Sequence, residues 1–77
     1  MSEPAVLNWD RIIHKNVRSK DFKDVGNVFA IAGDDVTVMG SWSREYNIPK
    51  TCVEGFNGSE VFLNINFSEL PKYEVKF

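Results

Sequence analysis

Seventy-seven residues with a net charge of −2, 43% hydrophobic and 26% charged content, suffice for one compact domain but not two, since a chain this short buries only about 60% of the surface its unfolded form exposes. This composition excludes disorder over the whole length. A single cysteine, Cys52, and a single histidine, His14, exclude an internal disulfide and leave a zinc site short of its usual ligands.

Met1-Ser2-Glu3-Pro4 carries neither the basic nor the apolar region of a secretory signal, so residues 1–8 read as an N-terminal tail. The longest apolar run, Val28 to Ala32, is too short to span a bilayer, and membrane insertion is not expected. The lone thiol fits a cytoplasmic setting and reads as a small buried hydrophobe. Asn57-Gly58-Ser59 and Asn66-Phe67-Ser68 match the glycosylation sequon, but without an export signal they read as a turn and as a strand exit leading to a helix cap.

Trp9, Ile12 and Ile13 fall at i, i+3 and i+4, which predicts a short helical turn able to close one end of a barrel. Asn16-Val17-Arg18-Ser19 reads as a first strand and residues 20–24 as a tight connection. Gly26 then sits just inside a second strand, where a missing side chain permits a bulge or a close backbone approach. From Val25 to Ile31 apolar residues are nearly continuous, so Val28 and Ala30 compete with Phe29 and Ile31 for the inward face, a conflict that a bulge at Gly26 would resolve.

Gly33-Asp34-Asp35 supplies a hairpin turn, and Val36-Thr37-Val38-Met39 alternates as a half-buried strand. Gly40-Ser41-Trp42-Ser43 reads as a loop holding a large aromatic. Tyr46 and Ile48 share a strand face that ends at Pro49, which has no N–H to give a ladder. Residues 50–54 read as a single helical turn or 3₁₀ crossing with Val53 tucked beneath it. After the Asn57-Gly58 turn, Val61, Leu63 and Ile65 form the cleanest period-2 stripe in the chain, predicting a strand central to the core. Ser68, Glu69 and Leu70 open a helix that Pro71 limits to a first turn, and residues 74–77 form a tail or edge strand.

Trp9-Asp10-Arg11-Ile12-Ile13-His14-Lys15-Asn16-Val17-Arg18-Ser19-Lys20-Asp21 with Asp24-Val25-Gly26-Asn27-Val28 resembles the opening of a PRC-barrel domain. Tyr46-Asn47-Ile48-Pro49-Lys50, Val53-Glu54-Gly55 and Val61-Phe62-Leu63-Asn64-Ile65 are similar to the second half of stand-alone archaeal and bacterial proteins of that type. The resemblance covers residues 9–73. It implies an all-β fold, a small, strongly bent barrel of five to six short strands with one or two helical turns, working as an adaptor without catalytic residues and often as a dimer.

The residues read separately also favour binding over chemistry. Any nucleophilic site would have to use His14, and nothing supplies the rest of such a constellation. Asp34 and Asp35 read as turn formers before they read as cation ligands, no Gly-rich loop opens a helix to cradle phosphate, and no cofactor is indicated. If Val61, Leu63 and Ile65 face inward, Phe62 faces outward. Met39 does the same beside Val36 and Val38, and Phe29 can join them. Trp42 in its polar loop would anchor such a patch, with Arg44 as the polar contact, unless its ring folds over the barrel mouth.

The leading expectation is therefore a protein-interaction module that self-associates, as a homodimer, or docks a protein partner through Trp42, Arg44, Phe62, Met39 and Phe29. The rival is RNA or ribosome association. Residues 11–24 place Arg11, Lys15, Arg18, Lys20 and Lys23 against Asp21 and Asp24, a local balance of +3 against −5 elsewhere, and nucleic-acid binding there would weaken steeply with salt. A ligand inside the barrel is a third expectation, disfavoured because side chains fill barrels this small.

Overall fold

The computed structural model describes residues 9–75; the expected tail at residues 1–8 lies outside them. A 3₁₀ turn η1 (Trp9–Ile12) leads into β1 (Asn16–Arg18), β2 (Asp24–Ala32) and β3 (Asp35–Met39). A further turn η2 (Ser41–Ser43) connects to β4 (Glu45–Pro49), and η3 (Lys50–Cys52) leads to the hairpin of β5 (Val53–Phe56) and β6 (Glu60–Leu63). The described chain ends with η4 (Phe67–Tyr73) and a short extended segment.

The strands form one mainly antiparallel sheet in the order β4-β3-β2-β1-β6-β5, with β1 and β6 parallel. Its inner face buries Val17, Val25, Val28, Val36, Val38, Tyr46, Ile48, Val61 and Leu63, and Ile12 of η1, Ile65 and Leu70 of η4 complete the same core. The period-2 stripe at Val61, Leu63 and Ile65 is buried throughout.

Four features correct the expectation of a closed barrel with one or two helical turns. The sheet is open, because β4 and β5 are its two edges and do not pair. The β4 edge is instead taken by the tail: Tyr46 bridges Glu74, and the Val75 N–H donates to the Glu45 carbonyl at 2.7 Å. Four short 3₁₀ segments are present rather than two. Of the helical turn or 3₁₀ crossing expected over residues 50–54, a 3₁₀ segment forms but stops at Cys52, and Val53 begins β5, drawn into a ladder by the Asn57-Gly58 turn and its partner β6. Pro71 does not end η4 after a first turn: the segment runs to Tyr73, because proline's fixed φ of about −65° matches a 3₁₀ turn and costs the segment only one N–H.

Strand β2 settles the ambiguity of residues 25–31 with two irregularities. Opposite β1 the register skips Val25, and opposite β3 it skips Phe29. Each extra residue re-aims the side chains beyond it, so Val25, Val28 and Ile31 point inward at intervals of three and Phe29 is turned out.

Candidate interaction surface

Register places three loops at one end of the sheet. Arg18 at the end of β1 faces Asp24 at the start of β2, Met39 at the end of β3 faces both Asn27 and Glu45, and β6 exits in the same direction as β1. The 19–23 loop, the 40–44 loop and the exit toward η4 therefore share this end. Gly40 rests on β2 so closely that a Cβ there would stand 2.8 Å from the Val25 carbonyl oxygen. The Lys20 N–H donates to the Ile65 carbonyl at 2.7 Å. Each loop presents an exposed aromatic: Phe22 is 71% exposed, Trp42 91% and Phe67 41%.

Two of these rings stand on left-handed backbone, Phe22 at φ 64° and Trp42 at φ 61°, a region that bulky side chains rarely enter and that is held only when the surroundings over-determine it. Around Phe22 they do. The Phe22 N–H donates to the Ser19 carbonyl at 2.9 Å and the Lys23 N–H to Ser19 Oγ at 3.1 Å. The Asp21 carboxylate accepts both the Ser19 hydroxyl and, at 3.0 Å, the Phe67 N–H, clasping the loop to the start of η4. The Ser19 hydroxyl, aided by the Phe67 amide, holds the Asp21 carboxyl below its ordinary value against an opposing effect of burial.

The Phe22 ring meets Phe62 edge to face, with centroids 6.4 Å apart. Beside this pair lies an open groove of about 430 Å³, lined by Ser19, Lys20, Phe22, Glu54, Gly55, Phe62 and Leu63. Lys20 and Glu54 stand on it without an ion pair among the described residues.

Of the five residues expected to bind a partner, Trp42, Arg44 and Met39 cluster at the β3–β4 connection. Trp42 is not folded over the core, Met39 is half-buried, and Arg44 Nε lies 4.0 Å from Glu74 Oε2. Phe29 stands 60% exposed at the β2 bulge. Phe62 is separated from β3 by β2 and β1 and pairs with Phe22 instead. Phe22 and Phe67 were absent from the expected set, although a phenylalanine inside the polar run Lys20-Asp21-Phe22-Lys23 is the same signal that marks Trp42.

The five cations do not form one stripe. Lys15 precedes β1 while Lys20 and Lys23 come after it, Arg11 lies in η1, and Arg18 Nε is engaged by Glu60 at 2.8 Å, which holds the guanidinium above its ordinary pKa. Next to the exit of β6, where its carbonyl accepts the Asn64 N–H at 2.8 Å, Cys52 is a free thiol, and it raises the Tyr73 hydroxyl above the usual phenol range. Among the described residues no group of three or more His, Cys, Asp or Glu is placed to hold a metal, and no helix is long and apolar enough to cross a membrane.

Comparison with protein-family models, with curated proteins and with solved structures found no match to this chain.

Proposed function

We propose that this chain is a non-enzymatic, cytoplasmic protein-interaction module, related to PRC-barrel domains but with its sheet left open, and that its docking surface is the aromatic end. One observation carries the reading. Trp42 and Phe22, the two most exposed large hydrophobic side chains among the described residues, both stand on left-handed backbone at the same end of the sheet.

An exposed ring gains nothing from such a backbone in the isolated chain, whereas an aromatic displayed clear of the fold can be buried by a partner without rearranging the core. Exposed aromatics scattered over a small protein are ordinary; their concentration at one end is the property that distinguishes a surface used for contact.

The test compares the full chain with a Trp42→Asn variant, each immobilised and challenged with a soluble extract, beside a measurement of self-association. The reading expects association, with itself or with another protein, that the variant loses. Association unchanged by the variant, or none of either kind, would overturn it.

A further inference from the structure

Resting on that reading, we infer that the partner presents an extended peptide segment, which adds to the open edge of β5 and lays one bulky apolar side chain across Gly55 against Phe62. The two edges of the sheet differ. At β4 the chain extends the ladder itself, through the Tyr46 bridge to Glu74 and the Val75 N–H that donates to the Glu45 carbonyl at 2.7 Å. At β5 no segment among the described residues does so.

The backbone of β5 is oriented to receive one. The Asn57 N–H donates to the Glu60 carbonyl at 3.2 Å and the Asn64 N–H to the Cys52 carbonyl at 2.8 Å, which marks these as hydrogen-bonded pairs. Phe56 opposite Val61 and Val53 opposite Leu63 then fall in the alternate pairs, whose N–H and C=O point away from β6. The Lys50 carbonyl accepts the Val53 N–H. The Val53 carbonyl and both backbone groups of Phe56 face the open edge, the pattern a strand added from outside can complete.

The side chains define what that strand must carry. Gly55 pairs with Phe62, so its missing side chain belongs on the face that bears the Phe62 ring and the groove. A Cβ built there meets nothing within 4 Å. A bulky apolar residue on an added strand would cover this vacant place and pack on Phe62 and Phe22, as an aromatic neighbour stabilises an edge glycine. Lys20 and Glu54 offset each other at the groove, so recognition falls to backbone pairing and one apolar contact rather than to charge. The bulge between Val53 and Gly55 interrupts the regular edge, which suits a short segment and opposes open-ended sheet extension.

The experiment selects a displayed library of random heptapeptides on the immobilised full chain and measures the enriched peptides by fluorescence anisotropy. They should share one aromatic or branched aliphatic residue, and methylating the backbone amides that flank it should weaken binding about tenfold or more. Bound peptide should slow hydrogen exchange at the Phe56 amide. Gly55→Tyr supplies the missing side chain from within the chain and should also weaken binding about tenfold or more. Phe22→Asn, which removes a groove wall while suiting the left-handed backbone, should do the same. Circular dichroism should show both variants folded.

No enriched peptide, an unchanged Phe56 amide, or a bare chain that pairs with itself through β5 in sedimentation would overturn the inference. Peptides that depend on Trp42 but tolerate both Gly55→Tyr and backbone methylation would sink strand addition alone and leave the interaction-module reading standing. Failure of that reading shows separately, as capture from extract that Trp42→Asn leaves unchanged.

Discussion

Gly26 and Met39 touch through their backbones: a Cβ built on Gly26 would lie 2.1 Å from the Met39 carbonyl oxygen, and Gly26 itself has φ +141°. This contact holds the start of β2 close against the end of β3, its ladder neighbour, and so keeps the 40–44 loop, with Trp42, at the same end of the sheet as the 19–23 loop. Neither the space nor the dihedral admits a side chain.

Gly26→Ala is therefore expected to destabilise the fold by about 3 kcal/mol or more, combining a backbone conformation closed to other residues with a clash against a carbonyl that cannot swing away. Urea denaturation monitored by circular dichroism measures it. A loss below about 1 kcal/mol would mean that this close strand approach relaxes easily.

Trp42→Asn should move in the opposite direction. The ring is 91% exposed and buries almost nothing, while its residue adopts φ 61° and ψ 30°, a conformation that costs a bulky residue roughly 1–2 kcal/mol and asparagine less. At concentrations where the chain is monomeric, the variant should gain about 1 kcal/mol of stability by chemical denaturation. Loss of stability would indicate that Trp42 packs on its own chain.

Leu70 is 1% exposed and carries η4 into the core, completing an enclosure that strand pairing leaves open. Leu70→Ala should cost about 2–5 kcal/mol, the range for a large-to-small change in a packed core. If the cost is small, the helix is an ornament on a self-sufficient sheet, and thermal denaturation distinguishes the two.

Asp21 makes the 19–23 loop sensitive to acid. Its carboxyl is held below the ordinary value in the folded chain, so on acidification the unfolded chain takes up the proton first. The contribution is fully present above the unfolded value of about 3.9 and drains away as pH falls through the lowered folded value. Asp21→Asn should therefore narrow its stability difference from the parent as pH drops below about 4, with hydrogen exchange at the Phe67 amide rising in step. A difference independent of pH would show that the carboxylate charge plays no part in the clasp.

Local periodicity revealed much of this fold. Val61 and Leu63 form the buried stripe of β6, with Ile65 buried just past the strand's end, Pro49 ends β4, and Gly26 sits where backbones crowd. The features that escaped depended on partners remote in sequence. Strand β5 contains Gly55, which hides its pattern, and only pairing with β6 defines it. The inward set of β2 keeps a spacing of three because two irregularities interrupt the period of two, and no residue type announces the one at Phe29. At the β4 edge it is residues 74–75, remote in sequence, that pair with Glu45 and Tyr46. At the candidate surface, Trp42 and Phe22 carry the same signal, a single aromatic in a polar run, but the left-handed turn that displays Phe22 is imposed by Ser19, Asp21 and η4 together and has no local signature.

The most direct test of the aromatic end as a contact surface tracks the Trp42 indole itself. A Trp9→Phe chain leaves it as the one tryptophan, and its emission and acrylamide quenching can be recorded from nanomolar to high micromolar concentration and with soluble extract added. The account predicts a fully accessible indole at high dilution whose emission shifts to the blue and whose quenching falls as the chain meets its partner. An indole that stays equally accessible under every condition would contradict it.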